Sequence, residues 1–120
     1  MNKNLTYEKA LAFAVRIVNL YKFLIAEKKE FVISKQLLRS GTSIGANISE
    51  AISAESKPDF IHKFAISRKE ANETIFWLTL LHETEYLSDN QFSSLNADCL
   101  EIRKMLTSTI LTTKRKIYNL

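Results

Sequence analysis

Turn-forming residues are what this chain has least of: two glycines and one proline are spread over 120 residues. That shortage argues against an all-β sandwich or barrel, which needs many tight turns, and points to a few long helices with short connections. One cysteine, Cys99, forms neither an intramolecular disulfide nor a cysteine metal cluster, so the fold calls for neither an oxidising compartment nor zinc. Long apolar runs are missing too. The N-terminal stretch LAFAVRIVNLYKFLIA is preceded by Glu8 and Lys9 and broken by Arg16 and Lys22, and no small-residue cleavage site follows it. Neither a signal peptide nor a membrane span is expected, and the cytoplasm is the default.

What is present suits one soluble domain covering residues 1–120: 46% of residues are hydrophobic, 25% are charged, and the net charge is +4. A mildly basic balance is compatible with a nucleic-acid partner without requiring one. Helical periodicity accounts for nearly the whole sequence. Ala10, Ala14, Ile17, Tyr21 and Leu24 form a stripe that Leu11, Val18 and Ile25 widen, with Thr6 as the expected N-cap. Leu37, Gly41, Ile44, Ile48, Ala51 and Ile52 define a second face. Phe60, Phe64, Ala71, Ile75 and Leu78 define a third, opening on Ser56 and Pro58. Phe92, Leu95, Cys99, Ile102, Leu106, Ile110, Thr113 and Ile117 define the fourth, behind a Ser88–Gln91 capping box. The spacing predicts helices over about 7–28, 33–54, 57–87 and 89–117. The expected fold is all-α: a single-domain, up-down-up-down antiparallel four-helix bundle.

The run RSGTSIGANISEA, Arg39 to Ala51, carries both glycines. A phosphate-binding loop would need four residues between its glycines, a Lys after the second and a preceding strand. Gly41 and Gly45 meet none of these conditions. At i and i+4, with Ser49 at i+8, they line one helix face and allow a second backbone to approach closely; a kink is the alternative. Arg39, Ser43, Asn47 and Glu50 form a polar stripe on the other side. If the next two helices form a hairpin, Arg39 faces Glu73, with Glu70 one turn nearer the turn. These residues read either as a polar network fixing helix register or as a plain solvated surface.

Glu70 and Glu73 invite a metal or acid–base reading, but a di-metal bundle takes Glu-x-x-His pairs, and neither His62 nor His82 has a Glu three residues before it. No metal or cofactor is expected. His82 reads as a structural histidine on the core face, and Cys99 as a small buried apolar residue. No nucleophile–base arrangement is evident, and no enzymatic activity is expected. Basic clusters at Arg68 and Lys69, at Arg103 and Lys104, and at Lys114, Arg115 and Lys116 are solvated surface when taken singly. Repeated in an oligomer, they would form a band able to bind phosphate backbone. Ile66, Trp77 and Leu80 lie nearly opposite the core face of the third helix. That helix is therefore either a deeply buried central element or one shared with a neighbouring subunit.

SIGANISEA followed by SKPDFIHKFAISRKEANETIFWLTLL closely resembles the bacterial four-helix-bundle proteins grouped with the 23S rRNA intervening-sequence proteins. The likeness covers about Ser43 to Leu81. It marks Ser43, Asn47, Glu50, Ser56, Asp59, Phe60, Glu70, Glu73, Thr74, Trp77 and Leu78, and departs from the usual pattern at Ala51 and Ser67. The resemblance implies a homo-oligomer, commonly a pentamer. Some members are encoded within inserts in rRNA genes. A related accessory protein of diversity-generating retroelements is a basic pentamer that binds nucleic acid and a reverse transcriptase. Two functions follow as expectations: a non-enzymatic RNA-binding or accessory bundle, or a protein-interaction scaffold that ignores nucleic acid.

Overall fold

The computed structural model describes residues 3–119, with side chains from Leu5 onward. Four α-helices, and no strand among the described residues, form one body: α1 (Lys3–Ala26), α2 (Ile33–Ile52), α3 (Lys57–Glu83) and α4 (Asp89–Tyr118). Its extents are 50 × 22 × 20 Å. Each helix packs on its neighbours in the chain, and α4 returns to touch α1, the sparsest of the four contacts. No helix among the described residues is long and apolar enough to cross a membrane.

The helix ends differ from the periodicity in instructive ways. Thr6 is fully buried inside α1, which runs back to Lys3, so it is not an N-cap. α3 stops at Glu83 because Glu85 adopts a left-handed backbone with φ of 67°. Its N–H bonds to the His82 carbonyl at 3.1 Å, and that of Tyr86 to the Leu81 carbonyl at 2.9 Å, a Schellman closure made without glycine. α4 opens on the Ser88–Gln91 capping box, and α3 on Ser56, whose hydroxyl accepts from the Asp59 N–H at 3.2 Å.

α2 has no capping side chain at its own N-cap residue, Val32. Glu30 folds back from the loop instead, and its carboxylate accepts from the N–H groups of Val32, Ile33 and Ser34 at 3.1, 3.0 and 2.6 Å. The residue is only 8% exposed. Burial pushes this carboxyl up, but the Ile33, Ser34 and Val32 N–H donors and the Ser34 side chain outweigh it and hold it below the usual carboxylate range.

Phe13, Ile17, Leu24, Leu37, Ile44, Ile48, Phe64, Leu78, Leu81, Ile102 and Leu106 fill the core. Each large side chain of this kind contributes about 1.5–3 kcal/mol through burial. The buried stripe of α1 is Ala10, Phe13, Ile17, Leu20 and Leu24, whereas Leu11 and, on α2, Ile52 point outward. Small residues bring the helices together. A methyl group built on Gly41 would lie 2.8 Å from Ile17 Cγ2, and one on Gly45 would lie 3.6 Å from Ala10. Between α2 and α3, the Ser67 hydroxyl donates to the Ile44 carbonyl at 2.8 Å, and the Ser40 and Thr74 hydroxyls lie 3.0 Å apart.

Candidate nucleic-acid interface

Where α2 meets α3, Arg39 sits between two carboxylates, bonding Glu73 through Nη2 and Glu70 through Nη1, the latter at 3.3 Å. Glu73 also accepts from the Trp77 indole N–H at 3.0 Å. Glu50 pairs instead with Lys63 at 3.0 Å. Ser43 and Asn47 donate to the carbonyls of Arg39 and Ser43 at 2.6 and 2.8 Å, within their own helix, and do not reach Arg39's guanidinium. The polar stripe of α2 thus divides into a partly exposed Arg39–Glu70–Glu73–Trp77 cluster, a Glu50–Lys63 pair and local bonds. None of these offers a nucleophile beside a base.

On the other flank, two of the three carboxylates of α4 turn toward α1. Asp98 binds Arg16 at 2.6 Å, and Glu101 binds Lys9 at 2.8 Å. The Glu101 hydrogen bond, followed by its charge, holds the Lys9 ammonium above its ordinary range. Apart from Glu83, exposed at the end of α3 and in no described ion pair, the acidic groups Glu70, Glu73, Asp98 and Glu101 are engaged at the two edges of the outer α3–α4 surface, by Arg39 on one side and by Arg16 and Lys9 on the other. Between them Arg68 is half-buried, Lys69 and Lys104 are exposed, and Arg103 donates across the seam to Asn72 Oδ1 at 3.0 Å. Among the described ion pairs none joins these four residues to a carboxylate.

The surface continues along α4. From Arg103 to the C-terminus there are five Lys or Arg and no Asp or Glu. Lys114, Arg115 and Lys116 are exposed in its last turns. Lys116 and Thr113 close one side of a cavity of about 350 Å³ whose other walls include Lys57, Ser56 and Phe60. The structure thus brings the Arg68–Lys69 and Arg103–Lys104 clusters together across one seam and places the third cluster farther along the same helix. Electrostatically, this surface can hold a polyanion.

The remaining candidates resolve differently. His82 is not a core histidine: it is partly exposed, stacks on Phe92 at 4.5 Å and lies 2.7 Å from the exposed Asp89 carboxylate. Burial pushes the Cys99 thiol up to about 12, an inert group packed against the Ala71 carbonyl. Among the described residues no cluster of three or more His, Cys, Asp or Glu side chains could hold a metal ion. Ile66, Trp77 and Leu80 are half-buried. The fully outward side chain of that run is Phe76, 56% exposed and in edge contact with Trp77 at 4.9 Å. Periodicity passed over it because the run IFWLTLL, Ile75 to Leu81, is apolar almost all round. The missing signal was its i−7 and i−4 companions, Lys69 and Asn72, which mark a solvent face.

A family model described as 23S rRNA-intervening sequence protein matches residues 2–108 of this chain. A crystal structure of a protein with unknown function from the S23 ribosomal protein family of Bacteroides thetaiotaomicron VPI-5482 is similar at 61% identity with a TM-score of 0.90. The similarity covers 92% of this chain and 98% of that one. No curated protein matches.

Proposed function

The chain belongs to the 23S rRNA-intervening sequence protein family, and from that premise we propose that it is a non-enzymatic RNA-binding or accessory factor of the cytoplasm. In this reading the four helices form an up-down-up-down antiparallel bundle, and copies of it assemble into a homo-oligomer, commonly a pentamer in the family, through Ile66, Trp77 and Leu80. The observation that carries the RNA reading is charge segregation along the middle of the α3–α4 surface: Glu70, Glu73, Asp98 and Glu101 are tied up at its edges, while Arg68, Lys69, Arg103 and Lys104 between them join no carboxylate among the described ion pairs. Repetition around an oligomer turns a net charge of +4 per chain into a continuous basic band.

The test is fluorescence anisotropy of a labelled structured RNA across a salt series. Binding should weaken steeply with salt, and Lys114→Glu with Lys116→Glu should lower both the affinity and the salt slope. Absence of binding, or affinity indifferent to salt, would defeat the reading. Light scattering tests the assembly, since a stable monomer at micromolar concentration contradicts it.

A second reading, a protein-interaction scaffold, draws on Leu11 and Val15, which lie half or more exposed on the outside of α1. A stoichiometric protein partner recovered after nuclease treatment, from a chain that binds no RNA, would favour it.

A further inference from the structure

Phosphate-binding cations account for attraction to any nucleic acid, but the α3–α4 surface also carries a feature they do not explain. Phe76 projects from α3 with 56% of its surface open, where a solvent-facing residue needs no ring. The 74° edge contact with Trp77 steadies it. Asn72 lies one turn earlier and Lys69 two turns earlier on the same face. The Asn72–Arg103 hydrogen bond of 3.0 Å sets a guanidinium from α4 beside that turn. One open aromatic face with a lysine and a positioned arginine within a turn or two is the combination that unpaired nucleotides use. Their bases stack on rings whatever the sequence, and their phosphates take the cations. A duplex keeps its bases stacked internally and has no use for the ring.

We propose that the α3–α4 face takes an unpaired stretch of RNA, with one base stacked on Phe76 and the neighbouring phosphates held by Lys69 and Arg103. The proposal rests on the RNA-binding reading above and narrows it to single-stranded segments. Trp77, the chain's one tryptophan, lies against the ring and reports the event directly.

The experiment titrates the full chain with a labelled oligouridine of about 12 nucleotides and, in parallel, with a duplex RNA of similar length. It follows anisotropy and Trp77 emission. The single strand should bind and quench Trp77. Phe76→Ala and Phe76→Leu should each weaken single-strand binding about tenfold or more and leave duplex binding and the salt slope unchanged, because stacking releases no counterions. Phe76→Trp should restore binding, whereas Arg103→Ala should reduce the slope. Circular dichroism and light scattering accompany each variant. If Phe76→Leu binds the single strand like the parent chain, or if Phe76→Ala changes the oligomer's mass, the ring is not a base platform and the proposal is overturned. In those cases intact, salt-dependent duplex binding leaves the broader RNA reading standing. If neither RNA binds, both fall together.

Discussion

Gly41 and Gly45 occupy equivalent-looking positions on one face of α2, yet replacing each with alanine should move stability in opposite directions. A Cβ at Gly45 meets Ala10 at 3.6 Å, an ordinary van der Waals contact, and the φ angle is not left-handed. Gly45→Ala therefore gains helix propensity at little steric cost, about 0.5–1 kcal/mol of added stability. At Gly41 the added carbon would stand 2.8, 2.9 and 3.3 Å from Cγ2, Cγ1 and Cβ of Ile17. Ile17 is completely buried and β-branched, so its χ1 has little freedom and relief requires α1 and α2 to part. Overpacking of this kind costs about 1–3 kcal/mol, against a propensity gain of about 1 kcal/mol. The net is a loss of up to about 2 kcal/mol, and the two variants should differ by about 1–3 kcal/mol. Urea unfolding followed by circular dichroism, at one fixed protein concentration, reads the difference. Ile17→Ala should cost about 1 kcal/mol less in the Gly41→Ala background than alone, because it removes the carbons in conflict. If Gly41→Ala proves as stable as Gly45→Ala, the close α1–α2 crossing at Ile17 is not a packing constraint.

Glu30→Gln should destabilise the chain by about 1–2 kcal/mol at neutral pH by weakening the cap of α2. The folded carboxyl titrates below its unfolded value. Its contribution is therefore full above about pH 4.3, is lost as the pH falls from there through the folded pKa, and the gap between wild type and variant should close in that limb of a urea-midpoint profile. Glu85→Gly should raise stability by about 0.5–1 kcal/mol, seen as a higher urea midpoint, since glycine takes the left-handed φ of 67° without strain. Cys99 should resist alkylation in the native chain and react once urea unfolds it, as followed by mass spectrometry; rapid labelling of the folded protein would contradict its burial.

Much of the architecture was legible because helix spacing is a local property. α2 could be read through RSGTSIGANISEA, and the opposition of Arg39 to Glu73 followed from hairpin geometry alone. The phase of α1 was not legible. LAFAVRIVNL has polar side chains only at Arg16 and Asn19, too few to set the phase, so Leu11 looked as suitable for the core as Phe13, and only the neighbouring helices select Phe13. Glu30 was hidden for a different reason: its three N–H partners exist only once the loop has folded back. At the candidate interface the basic clusters were visible one by one. Their joining across a seam, and the withdrawal of Asp98 and Glu101 toward α1, required helix packing that a linear string does not contain.

The α1–α4 seam is spanned by Lys9–Glu101 and Arg16–Asp98, whose partners are all roughly half exposed, and these two helices touch each other least of the four packed pairs. Water and salt compete with such pairs, so each holds weakly. In hydrogen exchange the bundle should consequently breathe along this line before any other. The amides of α1 should exchange through a sub-global opening that quickens with ionic strength, while those buried between α2 and α3 wait for complete unfolding.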